Sequence, residues 1–372
     1  MTYSAENNRV AAIHDSMFRG FFVISGGGSG LLERLLCVPG ASRTVLEAEI
    51  PYSPASMRKF LGRMPERFCS EPTARQMAAM AWRRAVEDAK TPKQVFGFSL
   101  TCVLATERPH RGEHRAYLAW QTLEETRSYA LLLDKTHSRQ DEEAQVCDWA
   151  EQILGECCGV LPETTPWATR QVAEPGWQQV QSGAAPWVLQ APETLGEREI
   201  LGIFPGSFAP FHAGHRKMRD VAVAMLGGEV ALEIAVLNVD KPPLDYVEMA
   251  VRGEPLREYP VFWTGLPYFE QKAEHFSGKT FVVGTDTIRR IADVSYHHGE
   301  PVLLEKSLRR FADLACRFLV FGRWDGERFV SLSDLNLPPL LQERCVEVPE
   351  SVFRNDVSST RLREQSLGNA IP

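Results

Sequence analysis

The chain has 372 residues, of which 44% are hydrophobic and 24% are charged, and its formal net charge is −7. This length suggests two domains, and the composition is that of a folded protein whose apolar runs are too short to span a membrane. The acidic charge disfavours duplex nucleic acid as a partner, because proteins that bind it neutralise its phosphates with a basic surface.

Two further features concern location and metals. Residues 1–16 lack the basic and apolar segments of a secretory signal, so we expect a cytoplasmic protein. The eight cysteines are scattered, without a C-x-x-C pair or a Cys/His cluster at zinc spacing. We interpret them as reduced thiols and expect no metal site built from protein ligands.

Residues 1–160 alternate apolar runs with helical patterns, which predicts an α/β domain. The first apolar run, residues 17–27, is typical of a strand or a buried helix end that enters a Gly-rich turn. Further strands are predicted at 97–106 and 115–123, and helices at 29–38, 73–89 and 141–158.

Residues 161–197 are predicted to link the two domains. Pro, Gly, Gln and Thr interrupt every candidate period in this segment, so no amphipathic helix is expected there. It contains Trp167, Trp177 and Trp187, and exposed tryptophan is uncommon. We therefore expect the linker to pack onto a domain surface.

Residues 198–372 again alternate strand and helix patterns, which favours a second α/β domain with a doubly wound parallel sheet. A strand at 198–204 enters a loop and then a helix at 215–226 that stops at Gly227. Later strands are predicted at 229–238 and 279–286, and a helix and strand at 309–323. Ligands of such sheets bind beyond the carboxyl ends of the strands, where the first loop must lie.

The first loop of this domain, residues 206–215, has the sequence GSFAPFHAGH. Gly206 lets the backbone approach a ligand closely, and Pro210 stiffens the loop. His212 and His215 stand at the start of the helix, so two imidazoles and the helix N-terminus can converge on one anion. The loop therefore predicts a phosphate site.

This loop resembles the G-x-F-x-P-x-H-x-G-H signature of the cytidylyltransferase-like family, which includes nicotinamide-nucleotide and phosphopantetheine adenylyltransferases. A second motif of that family, S-S-T-x-x-R, matches residues 358–363. The resemblance implies that His212 and His215 stabilise the α-phosphate of a nucleoside triphosphate in the transition state. It further implies nucleotide or phosphate contacts from Gly206, Ser207, Phe208, Ser359, Thr360 and Arg363, with Arg363 counted among the catalytic residues.

Weaker matches extend the resemblance. Residues 281–286 look like the family's strand that ends in G-x-D, which implies an acceptor site at Gly284 and Asp286. Residues 317–323 look like the strand that lines the nucleotide. Lys241 follows another strand end and could contact phosphate, although an exposed loop lysine is an equal alternative.

The implied reaction transfers a nucleotide, AMP from ATP being preferred, to a phosphorylated acceptor and releases pyrophosphate. The acceptor oxygen attacks the α-phosphorus in line, so the protein need only position both substrates and neutralise developing charge. Mg²⁺ bridging the triphosphate would complete the neutralisation.

The first domain resembles the competence-damage-inducible CinA C-terminal family, which contains nicotinamide mononucleotide deamidases. The matching segments are 25–30 (SGGGSG), 38–42 (VPGAS), 50–53 (IPYS) and 69–74 (CSEPTA). The resemblance implies a site at Ser25 and Ser42, with Ser42 as nucleophile, Tyr52 as its neighbouring hydroxyl and Arg139 on the substrate phosphate.

Two departures argue against deamidation. Met57 stands where the family's catalytic lysine is expected, and residues 101–106 (TCVLAT) replace its Gly-rich segment. A serine without a base within reach is a weak nucleophile. We expect a vestigial domain that holds nicotinamide mononucleotide or another ligand, or that only supports a dimer.

The fusion of these two halves favours nicotinamide mononucleotide or its acid form as the acceptor. One alternative is transfer from ATP or CTP to another phosphorylated acceptor. The other is a pyridine-nucleotide-binding protein without catalysis. Relatives of both halves commonly form oligomers, so we expect at least a homodimer.

Overall fold

The computed structural model describes residues 5–108, 111–238, 241–297 and 299–354. The chain forms two compact units. The first comprises Met1–Ser182 and Leu237–Ala250, and the second comprises Gly183–Val236 and Val251–Pro372. The segment Leu237–Ala250, which the sequence analysis assigned to the second domain, therefore groups with the first unit.

Helices and strands alternate along both units. The α-helices are α1 (Ala5–Asp15), α2 (Gly30–Cys37), α3 (Pro54–Leu61), α4 (Glu71–Ala89), α5 (Arg139–Cys157), α6 (Pro175–Gln181), α7 (Ala213–Leu226), α8 (Tyr246–Gly253), α9 (Phe269–His275), α10 (Thr285–Ile291), α11 (Pro301–Asp313) and α12 (Pro339–Gln342). The strands are β1 (Arg19–Ser25), β2 (Val45–Glu49), β3 (Val95–Val103), β4 (Arg115–Gln121), β5 (Glu125–Leu132), β6 (Thr169–Val172), β7 (Trp187–Gln190), β8 (Ile200–Pro205), β9 (Glu229–Ala235), β10 (Val261–Thr264), β11 (Thr280–Gly284), β12 (Arg317–Phe321), β13 (Arg323–Trp324), β14 (Phe329–Val330) and β15 (Cys345–Val348). The α/β class predicted from the sequence is confirmed.

The first unit is built on a mixed sheet with the strand order β2-β1-β3-β4-β5-β6. Strand β1 pairs in parallel with β2 and β3, and the pairs from β3 to β6 are antiparallel. Alternate residues of β1 enter two different cores, as the two-residue period of a strand requires. Phe22 and Ile24 pack in the core that includes residues of α2 and α5, whereas Phe21 and Val23 pack in the core that includes residues of α3 and α4.

The second unit is built on a sheet with the order β15-β12-β11-β8-β9-β10-β7. All of its pairs are parallel except β10 with β7. The chain moves from β8 to β10 on one side and from β11 to β15 on the other, so the order reverses between β8 and β11. In doubly wound sheets this reversal opens a crevice at the carboxyl ends of the two strands.

The segment expected as a linker contains regular structure. Strand β6 pairs antiparallel with β5, and β7 pairs antiparallel with β10, so each extends the edge of a sheet. Pro175 begins the short helix α6, where its missing N–H leaves no hydrogen bond unmade. Trp177 is buried and stacks on Tyr246 of the same unit, whereas Trp167 is half-exposed.

Two general features follow from the described residues. Within them, no helix is both long and apolar enough to cross a bilayer. All eight cysteines are free thiols.

The close packing of α4 on β3 depends on the absence of a side chain at Gly97. A Cβ atom at this position would collide with backbone atoms of Ala78 and Trp82 in α4. Backbone cannot move aside cheaply, so Gly97→Ala should destabilise the protein by about 2 kcal/mol or more. Urea unfolding of Gly112→Ala is the matched control, because a Cβ there meets nothing within 4 Å. Equal stability of the two variants would contradict this packing.

Candidate functional site

The loop between β8 and α7 is anchored near its start. The Gly206 amide donates to the carbonyl of Glu233 on β9 at 2.9 Å. Arg252 Nη1 donates to the carbonyl of Ser207 at 3.1 Å, and this arginine was not singled out from the sequence. These two contacts fix the backbone beyond the carboxyl end of β8.

Phe208 forms the interior of the loop. It has a positive φ of 44° and is only 2% exposed. Its ring packs edge-on against Phe204 and Phe211, with centroid distances of 5.3 and 5.7 Å. A Cβ at Gly206 would lie 2.6 Å from the Phe208 ring, so the ring itself explains the glycine. Any contact of Phe208 with a ligand would therefore come from its backbone.

His212 and His215 form a reciprocal cap at the start of α7. His212 Nδ1 accepts the Gly214 amide at 3.1 Å, and His215 Nδ1 accepts the His212 amide at 3.3 Å. The two rings stack with their centroids 3.7 Å apart. A neutral imidazole that accepts at Nδ1 carries its proton on Nε2. Both rings are therefore Nε2–H donors.

The surroundings of the pair keep both rings uncharged. Burial, together with the charge of a protonated His212, lowers the pKa of His215 to about 3. Burial also lowers the pKa of His212. Phe211 stacks on His215 at 5.6 Å, and Phe208 meets it edge-on at 5.1 Å. Apolar rings disfavour the charged imidazole because they cannot replace its hydration.

This geometry alters the expected anion site. The imidazoles and the helix amides were predicted to converge on one ligand, but the Gly214 and His212 amides already donate to the rings. Each amide instead polarises an imidazole, whose Nε2–H can donate to a ligand on the other side of the ring. The site is thus a pair of neutral, oriented donors.

Strand β11 brings the expected acceptor residues to the same edge of the sheet. Gly284 ends β11, which neighbours β8, and is the N-cap of α10. Asp286 lies in the first turn of α10 and forms an ion pair with Arg323, which follows β12. Both side chains are about half exposed. Arg323 is the last residue of the segment 317–323, which was predicted to line the nucleotide, but its side chain was given no separate role.

The structure does not test the remaining predicted phosphate contacts. Lys241 is exposed and belongs to the segment Leu237–Ala250, which groups with the first unit. Ser359, Thr360 and Arg363 lie outside the described residues. Their roles stay predictions.

The first unit has a cavity of about 500 Å³ between α5 and residues 26–30, which we call the Gly-rich loop. It brings together two of the predicted residues, Tyr52 and Arg139. Ser25 lies beside it, at the end of β1, and is buried, with its hydroxyl donating to the Pro51 carbonyl at 3.2 Å. Ser42 is exposed in a short 3₁₀ turn, Ala41–Arg43, and is not among the residues that line the cavity.

The position of the missing lysine is part of the core. Met57 is fully buried and packs with Phe21 and Phe60. Arg58 and Lys59 are exposed and line a separate cavity of about 570 Å³. The cavity beside Tyr52 therefore has neither cation among its lining residues.

Glu143 is a residue of this cavity that the sequence analysis missed. Its Oε2 accepts the Gly28 amide at 2.7 Å, and its Oε1 accepts the Gly30 amide and the Ser29 hydroxyl at 3.3 Å each. The only sequence signal was an acidic residue one helical turn after Arg139. Its partners lie more than 110 positions earlier in the chain, so no local pattern could reveal the contact.

The low pKa of His215 predicts how stability depends on pH. The unfolded ring titrates near its ordinary value, so it binds a proton more readily than the folded ring as the pH falls below about 6.5. The stabilising contribution is thus complete above that pH and is lost toward pH 3. Between pH 7 and 5 the loss should reach up to about 2 kcal/mol. His215→Gln should lose less over the same range in urea unfolding, and equal losses would contradict the buried neutral ring.

Comparison with known proteins gives a partial structural likeness. No protein-family profile matches the chain, and no curated protein matches it. A competence or damage-inducible protein from Enterobacter asburiae is 20% identical, with a TM-score of 0.34, over 41% of this chain and 96% of that one. A CinA-superfamily protein from Enterobacter cloacae is 18% identical, with a TM-score of 0.33, over 42% and 96%. A competence/damage-inducible protein from Agrobacterium tumefaciens is 15% identical, with a TM-score of 0.32, over 41% and 96%. At these values the likeness assigns neither an activity nor a ligand to this chain.

Proposed function

We propose that the second unit is a nucleotidyltransferase. It transfers AMP from ATP to a phosphorylated acceptor, nicotinamide mononucleotide or its acid form, and releases pyrophosphate. The observation that carries the proposal is the pair of neutral Nε2–H donors, His212 and His215, held at the strand-order reversal of a doubly wound sheet. Such a crevice is where phosphate-bearing ligands bind in folds of this kind.

The reaction needs no covalent bond to the protein. An oxygen of the acceptor phosphate attacks the α-phosphorus of ATP, and the bond from that phosphorus to the bridging oxygen of the β-phosphate breaks. The electron pair leaves with pyrophosphate. Negative charge develops on the nonbridging oxygens of the α-phosphate, so oriented donors aimed at them lower the barrier.

The two imidazoles suit this role because they are already oriented. Each Nδ1 is held by a backbone amide, so neither ring must reorient when charge develops on the ligand. The rings supply hydrogen bonds without net charge. Positive charge comes from the Mg²⁺ that accompanies the triphosphate and, as the resemblance implies, from Arg363, while Ser359 and Thr360 hold the outer phosphates.

The acceptor would bind at the end of β11. Gly284 and Asp286 lie at the edge that β8 and β11 share, and Arg323 offers a guanidinium beside Asp286. The phosphate of the acceptor could replace the Asp286 carboxylate as the ion-pair partner of Arg323. The choice of a pyridine mononucleotide rests on the resemblance of the first unit.

For the first unit we propose no deamidase activity. Ser42 is exposed, and the position expected to hold its lysine is Met57, which is fully buried. Without a base the serine hydroxyl stays protonated and is a weak nucleophile. A ligand-binding or supporting role agrees with this arrangement.

Pyrophosphate release tests the proposal. The purified protein with Mg²⁺ should release pyrophosphate from ATP in the presence of nicotinamide mononucleotide or its acid form. The same assay with CTP as the donor and with phosphopantetheine as the acceptor tests the alternative substrates. Ammonia, followed in parallel, should not appear. If no combination releases pyrophosphate, the protein uses another acceptor or binds nucleotides without catalysis.

A variant separates catalysis from helix capping at His212. Asparagine is a good N-cap residue, so His212→Asn should keep α7 and change the free energy of unfolding by less than about 1 kcal/mol. It removes the Nε2–H donor, and turnover should fall by about 100-fold or more. His275→Asn, the same change at an exposed histidine of α9, should leave turnover unaltered. Full activity of His212→Asn would remove the proposed site.

A further inference from the structure

The proposed transferase reaction uses none of the residues that line the cavity of the first unit. It is lined by the Gly-rich loop, by Tyr52 and by one face of α5. Two of its lining residues have opposite charge, Arg139 and Glu143, and they lie one turn apart on α5. The chemistry of a ligand here depends on what these two side chains already bind.

Glu143 binds the loop itself. Three donors converge on its carboxylate, namely the amides of Gly28 and Gly30 and the hydroxyl of Ser29. Backbone amides at the start of a helix are a donor set that phosphate groups use, and here the Gly28 and Gly30 amides donate to Glu143, a residue that lines the cavity. In this protein a side-chain carboxylate holds that position.

Arg139 is committed differently. Its Nη1 donates to the carbonyl of Ala105 at 3.0 Å, and its Nη2 donates to the carbonyl of Gly26 at 3.2 Å. A guanidinium has five N–H donors, so these two bonds orient it and leave donors for a ligand. The cavity thus contains the Arg139 guanidinium beside a loop whose amides already bind the Glu143 carboxylate.

We propose that Glu143 determines the specificity of this cavity by closing the Gly-rich loop to phosphate. The carboxylate uses the amides that a phosphate would need, and its charge repels a second anion from the same place. Ligands of the cavity therefore carry no phosphate on the loop, and a group that meets Glu143 is a hydrogen-bond donor. Removing the carboxylate converts the loop into a phosphate site next to Arg139.

The test is a titration with inorganic phosphate read at the amide NMR signals of Gly28 and Gly30, which report on this loop alone. In the wild-type protein these signals should not shift in a saturable way. In Glu143→Ala they should shift, with an affinity at least about tenfold higher, because like-charge contacts cost several kcal/mol. Glu143→Gln keeps an oxygen on the loop and should gain less.

Two controls complete the test. Adding Arg139→Gln to Glu143→Ala should weaken the gained binding, because the neighbouring cation is lost. In the wild-type protein the Gly28 and Gly30 amides should be protected from hydrogen exchange, a measurement that stands even if a variant fails to fold. Saturable phosphate shifts in the wild-type protein, no gain in Glu143→Ala, a gain that ignores Arg139, or rapid exchange of both amides would each overturn the proposal.

Discussion

The chemistry proposed for the second unit depends on two hydrogen bonds in which backbone amides donate to imidazole Nδ1 atoms. They set the tautomer of His212 and His215, and protonation of either ring at Nδ1 would break one of them. Burial against Phe208 and Phe211 acts in the same direction, because it disfavours the charged ring. The contacts that cap α7 and bury the two rings therefore also orient the two Nε2–H donors.

Both units contain a loop whose backbone amides donate to a side chain, but the side chains that accept differ in what they offer a ligand. In each, a Gly-containing loop leads from a strand to the start of a helix, where backbone amides need acceptors. In the second unit the acceptors are imidazoles, which carry a proton on their far side and so present donors. In the first unit the acceptor is the Glu143 carboxylate, which presents further acceptors. We therefore propose that the two histidines accept an anion and that Glu143 keeps phosphate off the Gly-rich loop.

The sequence predicted best what local patterns encode. The strand before Gly206 and the helix after His212 were found because an apolar run, a loop and an amphipathic helix follow one another directly. Three features escaped prediction because they depend on distant parts of the chain. Strands β6 and β7 form by pairing with the edge of a sheet. The segment Leu237–Ala250 groups with the first unit. Glu143 accepts hydrogen bonds from a loop that is distant in the sequence. The role of Phe208 was also hidden, since its positive φ turns the ring onto Gly206.

The most direct test of this account is nitrogen-15 NMR of the imidazole rings at neutral pH, with and without Mg²⁺ and ATP. We expect His212 and His215 both to be neutral, with the proton on Nε2 and an unprotonated Nδ1. The added nucleotide should move the Nε2 signals and leave both Nδ1 atoms as acceptors. A doubly protonated ring, or a proton on Nδ1 of either histidine, would contradict it.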